Sequence, residues 1–229
     1  MAGAAAAVVL ATGRDLSLTL AAVDELLSAG LPRPGALICS VGSEIFVGEG
    51  WQSDEQWASH ITQGWDGDAV RAALAGFPGL EPQPAAAHRR FKASYFLPST
   101  GEAGGHATVT EHDLVASVAG TLADAGLSAT LIPSAGRFLD VLPERASKGA
   151  AVAWLLDRTA TGADDVIVAG DSGNDREMLL GTHHGRQLRA VVVGNHEPEL
   201  ADMAGRPNVY VATAGFAAGV LEGIVAHGW

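Results

Sequence analysis

The stretch VIVAGDSGNDREML, Val166–Leu179, decides the fold. Its first residues form a continuous apolar run, the pattern of a strand buried on both faces of a parallel sheet. The run ends at Gly170-Asp171, turns over Gly173, and regains apolar residues at Met178 and Leu179 with helical spacing. This reads as strand, turn and helix, with Asp171 at the strand end and Asp175 in the first turn of the helix. Open parallel sheets bind ligands at the carboxyl ends of their strands. Two carboxylates placed there can converge on a hard cation such as Mg²⁺, with water completing the shell. A bare D-x-x-x-D also fits an ordinary turn in which Asp, Ser and Asn cap a helix. An EF-hand does not fit, because its third ligand position would fall on Gly173.

The same strand–helix rhythm extends on both sides. AAAAVVLAT, Ala4–Thr12, is a short buried strand, and LSLTLAAVDELLSAG follows as an amphipathic helix closed by Gly30. Ala36–Cys39 is the next strand. Near the other end, SKGAAVAWLLDRTA is a helix with Lys148 at its start. RAVVVGN and NVYVAT are strands, PELADMAG is a helix with Pro198 at its first position, and GFAAGVLEGIVAHGW is a final helix. Between these halves the pattern changes. The segment from Gly48 holds Trp51, Trp57 and Trp65 and one or two short helices. RRFKASYFL alternates and reads as an exposed-face strand. HATVTEHDLVASVAGTLADAGLSATLIPS reads strand, helix, strand, and GRFLDVLP completes a small α+β module. The sequence thus predicts a doubly wound, Rossmann-like parallel α/β core with an inserted α+β cap. The expected divisions are 1–49 for the first part of the core, 50–143 for the cap, and 144–229 for the second part of the core.

The 229 residues are 48% hydrophobic and 17% charged, a globular balance. A net charge of −12 without any basic run excludes a nucleic-acid partner, which needs clustered Lys and Arg. It leaves room for a small anionic substrate held by a few cations in a cleft. The apolar start carries no basic segment before it and is too short to span a bilayer, so no membrane association is expected. One cysteine, Cys39, rules out an intrachain disulfide and makes the cytoplasm the default compartment. Cys39 lies in an apolar strand and reads as core. His183 and His184 on the Gly-flanked THHGR loop read as solvated. Only two lysines, Lys92 and Lys148, stand beside twelve arginines. In so Arg-biased a chain, a retained lysine suggests a site that needs a compact point charge. Lys148 at a helix start is also unfavourable to the helix dipole, unless an anionic ligand or a carboxylate neighbour faces it.

Taken in order, LATGRDL, LPRPGALICSVGSEIF, DEQWASHITQGW, FKASYFL, LDVLPERASKGAAV, VIVAGDSGNDREML and VVVGNHEPEL resemble the haloacid dehalogenase-like phosphatases, in their sucrose-phosphate phosphatase branch. These blocks span nearly the whole chain. The resemblance implies a Mg²⁺-dependent phosphatase acting on a small sugar phosphate. It implies that Thr12 hydrogen-bonds the transferring phosphoryl group and that Lys148 balances charge between phosphate and nucleophile. Asp171 and Asp175 would hold Mg²⁺, with Ser172 and Asn174 supporting that loop. Gly13, Arg14 and Asn195 at the strand ends, and Ser43, Glu44, Lys92 and Asp140 on the cap side, would meet the substrate.

One part of the family pattern is not in the sequence as given. The family's D-x-D-x-T strand carries the attacking aspartate and the acid that protonates the leaving oxygen. Only MAGAAAA precedes VVLATGR, and the first acid, Asp15, follows that block. The resemblance places the missing strand centrally, between the strand of VVLAT and that of VIVAGD. Without it, those strands either close up and pair directly, or belong to a longer chain that supplies it. The chain as given is therefore expected to be inactive. A non-catalytic phosphatase-like domain associated with a sucrose-phosphate synthase-type glycosyltransferase is the alternative.

Overall fold

Two sheets carry the parallel part of the chain, and among the described residues they do not join. The computed structural model of the protein describes residues 7–98 and 110–229. In the first sheet β1 (Val9–Ala11) leads through α1 (Leu16–Ser28) to β2 (Ala36–Cys39), and the two strands pair in parallel. The chain then turns back as β3 (Glu44–Val47) and β4 (Gln52–Ser53), both antiparallel. These two strands were not foreseen in the sequence. Asp15 starts α1 by accepting from Leu18 N at 2.9 Å, a side-chain cap on the first turn.

The middle of the chain forms α2 (Glu55–Ile61), α3 (Gly67–Ala73), β5 (Glu81–Pro82), β6 (Ala93–Phe96), α4 (Glu111–Asp124), β7 (Ala129–Ser134) and β8 (Phe138–Pro143). The strands build an antiparallel sheet in the order β5-β6-β8-β7. The strand read in HATVT falls at 106–110 and, up to residue 109, lies outside the described residues. RRFKASYFL was expected to expose one face, but Ala93, Ser94 and Tyr95 are all buried. The reason is position: β6 sits inside the sheet, with one face on α3 and α4 and the other turned to the core. On the first face Ala93, Tyr95, Leu139 and Val141 pack with Val70, Leu114 and Val118.

We place the start of this inserted module after α2, beyond the expected division at residue 50. Trp57, Ala58 and Ile61 of α2 share one apolar cluster with Ile38, Val41 and Ile45 of the first sheet. The Trp57 indole also donates to Gly42 O at 3.1 Å.

The last part holds α5 (Lys148–Thr159), β9 (Ile167–Gly170), α6 (Arg176–Leu179), the hairpin β10 (Thr182–His183) and β11 (Arg186–Gln187), β12 (Arg189–Val192), β13 (Val209–Val211) and α7 (Phe216–Ala226). Its sheet is parallel, in the order β13-β12-β9. The helix expected from Asn174 shrinks to a 3-10 turn and the single turn α6, and PELADM is a 3-10 helix with Pro198 at its start. His183 was expected to be solvated but is 5% exposed, because the hairpin lies on α5 and turns one ring inward.

The edges left between the two sheets follow from the ladders. In a parallel ladder alternate residues direct both N–H and C=O to the same neighbour. Thr12 N donates to Ile38 O and Gly35 N to Val8 O, so Val9 and Ala11 direct theirs away from β2. Val193 N donates to Gly170 O, so Ile167 and Ala169 direct theirs away from β12. Among the described residues no strand takes either set, and β1 and β9 do not pair with each other. Direct closure, one of the two outcomes the sequence allowed, is therefore not what the chain does. The edges adjoin nonetheless, since Ala11 packs against the clusters of both sheets. Val8 and Val9 remain 50% and 42% exposed, although their sequence is that of a strand covered on both sides.

Candidate active site

The turn after β9 is built around one carboxylate. Asp175 Oδ2 accepts from Asp171 N at 3.1 Å, Ser172 N at 3.2 Å and Ser172 Oγ at 3.3 Å. Gly170 makes this possible: a Cβ there would lie 2.5 Å from Asp175 Cβ. The other oxygen, Oδ1, meets Lys148 Nζ at 2.7 Å. Lys148 also donates to Asn174 Oδ1, which accepts from Ser172 Oγ at 3.1 Å as well. Lys148 and Asp175 are buried, and the pairing supplies the carboxylate neighbour that a lysine at a helix start requires. Ser147 caps α5 by accepting from Ala150 N at 3.0 Å, which fixes Lys148 at the first helical position.

Asp171 stands apart from this knot. It is exposed, and the one hydrogen bond to its carboxylate among the described residues comes from Asn195 Nδ2, 3.5 Å from Oδ2. The free carboxylate of the loop is thus Asp171, whereas both oxygens of Asp175 are occupied. A hard-oxygen donor set of this kind fits Mg²⁺, which is held by one or two carboxylates and keeps most of its waters. Asn195 Oδ1 accepts from Phe216 N at 2.6 Å, which ties the ends of β12 and β13 to this loop. Glu197, which sequence reasoning missed, lies behind the turn: its carboxylate accepts from Gly173 N at 3.4 Å and its amide donates to Asp171 O at 2.7 Å.

Thr12 ends β1 across the free edges from Asp171. Its Oγ1 accepts from Arg14 N at 3.1 Å, which leaves the hydroxyl proton to be donated. Gly13 closes the distance: a Cβ there would lie 3.9 Å from Asn174 Nδ2 and 3.7 Å from Val41 Cγ2. The carboxyl ends of β1 and β9 therefore meet at one place. Arg14 is exposed there, and its carbonyl accepts from Ser40 N at 2.8 Å. The turn Ser40-Val41-Gly42 runs through three left-handed residues, with φ of +51°, +59° and +93°. Val41 N donates to Thr12 O at 3.1 Å, so this strained turn holds the end of β1.

The cap-side residues divide. Ser43, expected to meet the sugar, is fully buried and donates to Ser40 O at 2.9 Å. The left-handed turn swings it inward, where its hydroxyl holds the turn. Glu44 is half-buried and accepts from Ser40 Oγ at 2.6 Å. Lys92 Nζ lies 3.3 Å from Asp140 Oδ1, which also accepts from Ser94 Oγ at 2.6 Å. Asp140 and Ser94 are cross-strand partners. They alternate with Leu139 and Ala93 of the cap's own core, so they occupy the opposite face, whose Leu142 and Ile132 pack with Ile38 and Ile45 of the first sheet. Both lysines of the chain are thus buried, and each meets an aspartate. The cap also approaches the loop after β9 directly, with Pro133 O 3.5 Å from where a Gly173 Cβ would stand.

One further contact escaped the sequence, whereas the burial of Cys39 was expected. Arg89 of the inserted module pairs with Asp15 at the start of α1. Burial raises the Asp15 carboxyl, but hydrogen bonds from Ser17 and Leu18 and the Arg89 guanidinium outweigh it and hold the group below its ordinary value. Cys39 is fully buried, and burial pushes its thiol up to about 11, so it is no nucleophile at neutral pH.

Comparison with known proteins gives this geometry a context. Residues 2–228 match the family model for sucrose-6F-phosphate phosphohydrolase. A mannosylfructose-phosphate phosphatase of Agrobacterium fabrum is 31% identical over 218 residues, covering 93% of this chain and 79% of that protein. Sucrose-phosphatase 1 of Nicotiana tabacum is 30% identical over 83% of this chain, which spans only 44% of the tobacco protein. A glucosylglycerol-phosphate synthase of Pseudomonas anguilliseptica is 31% identical over 95% of this chain and 26% of its own length. The solved sucrose-phosphatase of Synechocystis, in complex with sucrose and phosphate, superposes with a TM-score of 0.79 at 30% identity, covering 96% of this chain and 84% of that one.

Proposed function

Because this chain belongs to the sucrose-6F-phosphate phosphohydrolase family, within the haloacid dehalogenase-like hydrolases, we propose that it forms most of a Mg²⁺-dependent sugar-phosphate phosphatase site. We propose further that the attacking aspartate stands on a parallel strand received between β1 and β9. The observation that carries this reading is the convergence, beside two unpaired strand edges, of a free Asp171, a buried Lys148 with one donor to spare, and the Thr12 hydroxyl.

The residues divide the work by the donors they have left. Lys148 has three N–H donors and commits two, to Asp175 and Asn174; the third points charge at a phosphate oxygen. The Thr12 hydroxyl and the amides after it donate to the same group. The aspartate would bond to phosphorus as the sugar oxygen leaves with a proton from a neighbouring acid, and water would then cleave the acyl phosphate. Mg²⁺, held by Asp171 with Asn195 and the Asp175-centred loop behind it, would neutralise the charge on the transferring group. Lys92 and Asp140 of the cap and Glu44 of the first sheet supply polar groups for sugar hydroxyls. A disaccharide phosphate of the sucrose 6-phosphate type is the proposed substrate.

Phosphate release from sucrose 6-phosphate tests this. A chain extended upstream by a D-x-D-x-T strand should hydrolyse it with Mg²⁺, and residues 1–229 alone should not. An extended protein that frees no phosphate from any sugar phosphate would sink the proposal, as would Mg²⁺-dependent turnover by residues 1–229. The match to a synthase favours a second reading, a non-catalytic domain that binds a sugar phosphate beside a glycosyltransferase. An in-frame D-x-D-x-T in the DNA upstream of Met1 would remove it.

A further inference from the structure

Away from this site, the β10–β11 hairpin meets the last turns of α5. His183 Nε2 lies 3.8 Å and His184 Nε2 3.3 Å from Asp157 Oδ1. One ligand atom from each of the three residues lies within 4.8 Å of the others, and the two rings are 4.0 Å apart between centroids. Three features separate this cluster from an accidental surface contact. His183 is 95% buried (5% exposed), and both imidazoles turn Nε2 towards the same carboxylate oxygen, Asp157 Oδ1. The hairpin turns on His184 and Gly185 at φ of +50° and +76°, so the left-handed backbone aims the exposed ring back at Asp157. The donors also come from two separate elements packed on each other, Asp157 from α5 and the histidines from the hairpin.

We propose that Asp157, His183 and His184 form a binding site for a transition dication of the zinc class, with water completing the coordination. Zn²⁺ holds nitrogen and oxygen ligands at about 2.0–2.2 Å, so neighbouring ligands of a tetrahedral ion stand about 3.3–3.5 Å apart. The 3.3 Å contact already has that spacing, and the 3.8 Å contact reaches it with a small side-chain adjustment. Two imidazoles and one carboxylate suit Zn²⁺, Co²⁺, Ni²⁺ or Cu²⁺, whereas Mg²⁺ and Ca²⁺ favour all-oxygen shells. Asp157 follows Lys148 by nine residues on the same helix, about 14 Å along its axis. The ion would therefore clamp the far end of α5 to the hairpin without entering the phosphate site.

The test uses tag-free protein carrying Asp171→Asn, so that the loop after β9 does not compete, titrated with Co²⁺ and Zn²⁺ alone. One Co²⁺ per chain should bind with the visible absorption of a four-coordinate ion, and one equivalent of Zn²⁺ should displace it. Cu²⁺ should show electron-spin coupling to two nitrogens. Asp157 and His184 are exposed, so Asp157→Asn and His184→Ala should fold and should each weaken Zn²⁺ binding at least tenfold. Absence of saturable binding would overturn the proposal. So would equal affinity in the protein with and without those substitutions. Neither outcome depends on phosphatase activity, so the two readings fail independently.

Discussion

Lys148 Nζ lies 2.7 Å from Asp175 Oδ1, with the two side chains 4% and 7% exposed. Removing one partner of a buried pair leaves the other charge without compensation, which costs about 3–5 kcal/mol. Lys148→Met should therefore lower unfolding free energy by roughly 3 kcal/mol or more, read from urea denaturation. A loss below about 0.5 kcal/mol, the range of ordinary surface changes, would show that water reaches the pair.

Asp171 should behave in the opposite way to Asp175, although the two lie in one loop. Asp171 is exposed and Asp175 buried, with both oxygens engaged. Asp171→Asn should change stability by less than about 0.5 kcal/mol. It should also abolish any rise in melting temperature produced by millimolar Mg²⁺. Asp175→Asn should cost several kcal/mol, because Lys148 loses its counter-charge. Mg²⁺ stabilisation that survives Asp171→Asn would move the metal to another carboxylate.

The contrast within GDSGND also marks what the sequence could carry. Strand ends were legible at Thr12, Ser40, Asp171, Asn195 and Thr213, because short apolar runs bounded by Gly or polar residues have few other readings. Lys148 was legible because a cation at a helix start needs a reason. Side-chain direction was not. Ser43 sits in a block that resembles sugar-binding sequence, yet the left-handed turn at Ser40–Gly42 turns it inward. His183 looked solvated because a two-residue strand gives no periodicity from which to read burial. The pairing of Arg89 with Asp15 joins residues 74 apart, a relation set by how the inserted module packs on the core and without local pattern.

Gly42 is the closest backbone approach at the site. A Cβ there would stand 2.2 Å from the Ser147 carbonyl and 2.5 Å from Lys148 N, and φ is +93°. Gly42→Ala meets both a left-handed backbone, of order 1–3 kcal/mol, and a clash with backbone that cannot rotate away. A loss of about 3 kcal/mol or more in urea denaturation is expected. Gly126, also at positive φ but with nothing near its Cβ position, provides the comparison: Gly126→Ala should cost only the conformational part. Equal losses at the two positions would show that the Ser147 peptide shifts to make room.

The Asp15–Arg89 contact should give the junction between core and inserted module an acid dependence. The Asp15 carboxyl is held below 3.8, so as pH falls the unfolded chain takes up this proton first. Its contribution is fully present above the unfolded value and is lost as pH falls through the lower, folded value. The window therefore opens near pH 4 and extends downward. Unfolding free energies of the wild-type chain and Asp15→Asn should differ most at neutral pH and converge below that window. Arg89→Ala removes one of the groups that depress the carboxyl, so it should shift convergence to higher pH and leave the Ser17 and Leu18 contacts in place. A gap between wild type and Asp15→Asn that stays constant from pH 7 to pH 2.5 would show that the carboxylate charge contributes nothing at this junction.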